Sequence, residues 1–254
     1  DLWLPVTTTA AALAIYEAAT GLLDKSDMNR IADRRARLEE RKRDLEAKVE
    51  QQAVEAGKRE SLHPRWVAYQ LGQILHEDTI LLDDALSSSP FVRDYHCRTQ
   101  PGTYFKSGGS SGGWGSGAAF GAKLSKPAKD VVLVTGDGYF MFGTPLAALW
   151  AAKHYSAPFL TVVLVNRSYS TGTRWLADAY PDGVAVQTRN YDGGLFDPPP
   201  DFAKLAEAAN CYGETVLDAY GTKAALQRGL EHVHNGTPAV IACILPTLVD
   251  EMDA

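Results

Sequence analysis

From Leu62 onward, short apolar runs alternate with helix-patterned segments, and that alternation restricts the fold more than any other feature of the sequence. The strand-like runs are DTILLDD, TYFKS, DVVLVTGD, FLTVVLVN, ETVLDAY and PAVIACIL. Around them lie HPRWVAYQLGQIL, AAFGAKL, PLAALWAAKHY, DFAKLAEAAN and KAALQRGLEHVH. Strands that read as unbroken Val, Leu and Ile are apolar toward both faces, so the pattern predicts an α/β fold, a parallel sheet with helices on both faces. A chain of 254 residues, 45% of them hydrophobic, can bury one such core. Ligands of these sheets bind beyond the carboxyl ends of the strands, where the connecting loops lie. Three loops stand there: DDALSSSP, SGGSSGGWGSG and GDGYF.

Residues 1–60 have a different texture and are read as a helical arm or linker, with 61–254 as the binding domain. TTTAAALAIYEAATGLL reads as a helix behind a Thr cap, and SDMNRIADRRARLEERKRDLEAKVEQQ as a second, highly charged one. The latter's few apolar positions, Ile31, Leu38, Leu45 and Val49, suit a surface helix with one narrow contact seam. The opening DLWLPVTTTA reads like the tail of something already folded, so the polypeptide is expected to begin earlier. A formal charge of -6 gives no basic field for nucleic acid. No apolar run reaches membrane-spanning length. Three cysteines without CxxC pairing suggest neither a disulfide framework nor a zinc site, and a cytoplasmic protein is expected. The six histidines show no metal-like spacing with acidic neighbours.

SGGSSGGWGSG has the composition of a flexible tether, yet it runs straight into a helix and then a buried strand. A glycine-rich turn before a helix instead lets backbone N–H groups approach an anion closely. GDG taken alone reads as a tight turn, but its surroundings say more. Asp137 ends one strand and Asn166 ends the next, so adjacent parallel strands would set them side by side. A carboxylate, an amide oxygen and a loop carbonyl are hard ligands that suit Mg²⁺, a metal whose other positions are usually filled by water and phosphate oxygens. The hydroxyls of Ser87 and Ser88 and the glycine-rich turn are the candidate donors to that phosphate.

GDG, an Asn at the next strand end and the loops around them resemble the diphosphate-binding domain of thiamine-diphosphate enzymes, in the acetolactate synthase and benzoylformate decarboxylase group. The resemblance runs from about Leu62 to Leu245 through ILLDDALSSSPFVRDYHCRTQPGTYFKSGGSSGGWGSGAAFGAKLSKPAKDVVLVTGDG and LWAAKHYSAPFLTVVLVNRSYSTGTRW. It implies that Asp137 and Asn166 hold Mg²⁺ by side chains and Ser168 by its carbonyl. It also implies that Ser87, Ser88 and the backbone amides of Gly138 and Tyr139 hold diphosphate oxygens, with Gly136 in the same cofactor site. Gly112, Gly113, Trp114 and Tyr169 would complete the cofactor site, and YSTGTRW would line the substrate entrance. The implied activity is decarboxylation of a small 2-oxo acid or carboligation, in a homo- or hetero-oligomer.

Two departures bear on that activity. Val165-Asn166 stands where relatives carry two asparagines, and Asn166 aligns with the ligand-bearing second one. Gly112 stands where relatives place a bulky Leu or Met beneath the bent cofactor, and a glycine cannot prop that bend. The activating glutamate belongs to a pyrimidine-binding domain expected outside this chain, on a preceding segment or a separate subunit. A noncatalytic cofactor-binding subunit is the first alternative. A dinucleotide-binding module is the second, although Gly113-x-Gly115-x-x-Ala118 matches only the looser form of that fingerprint.

Overall fold

The structure, a computed structural model, describes residues 5–96, 98–109, 111–196 and 198–247. It divides into two compact units, Asp1–Glu50 and Gln51–Ala254. In the first, α1 (Thr8–Leu22) is capped by Thr7, whose Oγ1 accepts the Ala10 N–H, and it buries none of its residues. The long α2 (Lys25–Ala56) follows, with Leu38 and Leu45 exposed and Ile31 and Val49 partly covered. Only its last turn, at Ala53 and Ala56 in the second unit, is buried.

The second unit is built on six parallel strands: β1 (Ile80–Asp84), β2 (Tyr104–Lys106), β3 (Val131–Gly136), β4 (Leu160–Val165), β5 (Tyr212–Val216) and β6 (Ala239–Ile244). Their order is β2-β1-β3-β4-β6-β5. The helices are α3 (Pro64–Gly72), α4 (Ser89–Tyr95), α5 (Gly115–Ser125), α6 (Asp137–Phe142), α7 (Pro145–His154), α8 (Ser170–Ala179), α9 (Val184–Thr188), α10 (Phe202–Ala208) and α11 (Thr222–His234). Two hydrophobic clusters fill the two faces of the sheet. Val132, Val134, Val162 and Leu164 pack toward α3, α4 and α11, while Val131, Leu133, Val163 and Val165 pack toward α5, α6, α7 and α10. Successive strand residues point to opposite faces, which is why the runs are apolar throughout.

Position follows from strand order. The chain leaves β1 outward to β2, then crosses back over β1 to β3, so the connections after β1 and β3 diverge and open a crevice between their carboxyl ends. Ala85–Ser89 and Asp137–Tyr139 occupy that crevice. The ladder pairs Gly136 with Leu164, placing Asp137 next to the end of β4 and Asn166. No helix among the described residues is long and apolar enough to cross a membrane. Cys211 and Cys243 are free and buried, and burial pushes their thiols up to about 11 and about 12, respectively. Cys97 lies outside the described residues.

Candidate functional site

Ser87, Gly136, Asp137, Gly138, Tyr139, Asn166, Ser168 and Tyr169 line one cavity of about 110 Å³ in the crevice. The Asp137 side chain is buried and held from two sides. Its Oδ1 accepts the Gly138 N–H at 2.8 Å and its Oδ2 the Arg167 N–H at 2.6 Å. Arg167 adopts a left-handed backbone, φ 56°, which turns the chain sharply after β4 and brings its amide onto the carboxylate. Asn166 Oδ1 accepts from the Ser168 N–H at 3.1 Å, and its Nδ2 donates to Ser170 Oγ at 3.2 Å. Ser170 Oγ in turn donates to Ser87 Oγ at 3.2 Å, so a polar chain joins the β4 loop to the β1 loop. A segment after α9 pins the loop from outside. Gly194 O accepts from Ser168 Oγ and from the Tyr169 N–H, and Arg167 O accepts from the Phe196 N–H. The Tyr169 ring stacks flat on Phe142, and it covers Gly138 so closely that a Cβ there would lie 2.6 Å from a ring carbon.

Burial raises Asp137 to about 6, against the pull of the backbone N–H groups of Arg167, Gly138 and Asn166 and its own. A carboxylate short of solvation, beside an amide oxygen and loop carbonyls, is suited to a divalent cation, which would restore the lost stabilisation of its charge. A consequence can be measured in chelated protein. Because the folded-state value lies above the ordinary 3.8, Asp137 favours folding below about pH 4, and that contribution disappears as pH rises through 6. The stability of Asp137→Asn relative to the parent should therefore improve between pH 4 and 7, by at most about 3 kcal/mol. Thermal melts at both pH values check this, and a difference independent of pH would mean that the carboxyl is not desolvated.

The glycine-rich turn behaves differently from expectation. Gly113 and Gly115 direct their N–H groups inward to Asp84 Oδ2, at 3.0 and 3.2 Å, so these donors meet a carboxylate of the chain and are not offered to an external anion. Gly113 takes φ +92°, and a Cβ there would press on the Gly143 nitrogen at 2.7 Å. Gly112 lies under the Tyr139 ring, which occupies the space of any Cβ. Neither Gly112 nor Gly113 lines the cavity of Asp137. The fingerprint of the dinucleotide reading loses its amides to Asp84 in the same way. Other residues of the turn, Ser107, Gly108, Gly109, Ser111 and Trp114, line a separate cavity of about 250 Å³ with Asp84, Lys106, Leu86 and Tyr139. Ser88 lines a third cavity of about 640 Å³, which it shares with Ser87, Asn166, Arg59, His63 and Arg174.

Sequence reasoning missed the polar cluster under the glycine-rich turn. Asp83 is buried, and accepts from the Ala85 N–H at 3.2 Å, Tyr104 OH at 2.6 Å and Ser89 Oγ, with Lys106 Nζ at 3.7 Å. Lys106 also donates to Ser89 Oγ. Asp84 is raised to about 6, chiefly by burial, with the Asp83 charge adding to the rise. Two adjacent acids at a strand end were the available signal. His63 caps α3 by accepting the Arg65 N–H at Nδ1, and burial with the charges of Arg59 and Arg65 lowers it to about 4. No group of three or more His, Cys, Asp or Glu side chains able to hold a metal occurs among the described residues. Any cation at Asp137 would thus rely on amide and carbonyl oxygens as well.

Comparison with known proteins adds a second line. Residues 87–243 match the family described as the thiamine pyrophosphate enzyme C-terminal TPP binding domain. Benzoylformate decarboxylase of Pseudomonas aeruginosa is 30% identical over 174 residues, 67% of this chain and 30% of that protein. Acetolactate synthase isozyme 3 large subunit of Escherichia coli is 29% identical over 177 residues, 69% of this chain and 29% of the other. Among solved structures, benzoylformate decarboxylase from Polynucleobacter necessarius superposes with a TM-score of 0.63 at 21% identity, over 75% of this chain and 34% of that one, a likeness of fold. The chain spans about a third of the length of these relatives.

Proposed function

The chain belongs to the thiamine pyrophosphate enzyme family, through its C-terminal TPP-binding domain, and from that premise we propose that it is the diphosphate- and metal-binding part of a 2-oxo acid decarboxylase or carboligase. The observation that carries the proposal is the convergence of the Asp137 carboxylate, the Asn166 amide and Ser87 on one cavity, with Gly138 and Tyr139 at the start of α6. The two relatives described above are a decarboxylase and an acetolactate synthase by name, which supports the same reading.

In this proposal Asp137 and Asn166 hold Mg²⁺ by their side-chain oxygens, and Ser168 adds its carbonyl. Gly136, Gly138, Tyr139 and Ser87 surround the diphosphate, with Ser88 at the neighbouring cavity. Trp114 bounds the cavity on the far side of Tyr139, and Tyr169 closes the wall over Gly138. When bound, thiamine diphosphate would supply a carbon nucleophile toward a 2-oxo carbonyl and a cationic ring able to take up the electron pair released as CO₂ leaves. The chain's own residues anchor, orient and exclude water. The activating glutamate would come from a pyrimidine-binding domain, on a longer polypeptide of which 1–60 is the connecting arm, or on another subunit of a cytoplasmic oligomer.

A noncatalytic cofactor-binding subunit is the second reading, and Gly112 is the observation that favours it. The full-length assembled protein, supplied with aliphatic and aryl 2-oxo acids, is expected to release CO₂ only when thiamine diphosphate and Mg²⁺ are both present. Cofactor binding without turnover of any 2-oxo acid would select the noncatalytic subunit.

A further inference from the structure

We propose that the ring of Tyr139 is the support over which bound thiamine diphosphate turns, replacing the side chain that Gly112 lacks. The inference rests on the cofactor reading above and adds a positioning residue to it.

Two facts about Tyr139 carry the inference. First, it lines both the cavity of Asp137 and Asn166 and the cavity of Trp114 and Lys106, so it forms the ridge between them. Leu86 lines both as well and completes the ridge. A ligand with its phosphates beside Asp137 and a heteroaromatic ring toward Trp114 has to turn about that ridge. Second, the Tyr139 ring fills the space that a Cβ on Gly112 would need. A bulky side chain at 112 and the ring in this place are therefore mutually exclusive. The glycine is one half of an exchange, in which the volume has moved from the glycine-rich turn to the first turn of α6.

The replacement differs chemically from an aliphatic prop. An aromatic face has negative charge above its plane, and attracts a cation placed over it. The thiazolium ring of the cofactor is such a cation. Tyr139 is half-buried, with its backbone fixed in α6 immediately after Gly138, itself clamped under Tyr169. Little conformational freedom remains to be lost when a ligand arrives.

The test uses the full-length assembled protein and two ligands by calorimetry, Mg²⁺ with thiamine diphosphate and Mg²⁺ with inorganic pyrophosphate. Tyr139→Ala should weaken thiamine diphosphate about tenfold or more and leave pyrophosphate within about twofold, since only the ring contact is lost. Tyr139→Phe should retain thiamine diphosphate binding. In Gly112→Leu/Tyr139→Ala the affinity lost in Tyr139→Ala should largely return, because the volume is moved back to the turn. Equal thiamine diphosphate affinity in the parent and Tyr139→Ala would overturn the proposal, as would equal losses for both ligands. A parent protein that binds neither ligand would instead refute the cofactor reading on which the proposal stands.

Discussion

Asp137→Asn is expected to weaken Mg²⁺-dependent binding of thiamine diphosphate at least about 100-fold, or roughly 2.7 kcal/mol. The substitution removes the one negative charge among the proposed metal ligands and keeps the size of the side chain. It also changes the local hydrogen bonding. The carboxylate accepts from both Gly138 and Arg167, whereas an amide has a single oxygen for the two N–H groups. One buried donor is left without a partner, at a cost of about 1–3 kcal/mol. That cost leaves the sheet intact, so circular dichroism should match the parent while calorimetry shows the loss. Asp137→Ala should behave the same way with a larger drop in melting temperature. Unchanged affinity in either variant would mean that the metal does not reside at Asp137.

Gly213→Val is expected to destabilise the second unit by at least about 2 kcal/mol and to lower its melting temperature by roughly 5 °C or more. Gly213 lies in β5, the edge strand, where α10 crosses directly over it. A Cβ at 213 would stand 2.7 and 2.8 Å from backbone carbons of Ala203 and overlap its carbonyl oxygen. Backbone cannot rotate out of the way as a side chain can, so the helix has to shift off the sheet. Gly121→Ala in α5 is the matched control. Nothing lies within 4 Å of its Cβ position, and removing a helix-interior glycine should raise stability slightly. Equal melting temperatures for Gly213→Val and the parent would show that α10 is not seated on β5 as described.

The sheet was legible in the sequence because burial on both faces leaves runs that are almost wholly apolar, as in VVLV of β3 and, apart from Thr161, LTVVLV of β4. The pairing of Asp137 with Asn166 was legible for the same reason: both directly follow apolar runs that end at one edge. Helices α4, α6 and α8 were harder to read. DDALSSSP, GDGYF and YSTGTRW carry turn formers and short polar residues, and each nevertheless starts a helix that tertiary packing holds. The inward role of the glycine-rich turn was not legible at all. It depends on Asp84 lying beneath the turn, and the partner of a buried carboxylate is fixed by strand order, here β2 beside β1, which composition does not reveal. The Gly112–Tyr139 contact was hidden likewise, because it joins the turn after β2 to the first turn of α6 after β3.

In the proposal above, Asp137 and Asn166 form a metal-dependent site for thiamine diphosphate. Its most direct test is a calorimetric titration of the full-length assembled protein with thiamine diphosphate, first with Mg²⁺ and then with excess chelator. Saturable binding with Mg²⁺ that disappears with chelator is expected. Binding of equal strength in both conditions, or no binding in either, would contradict the proposal.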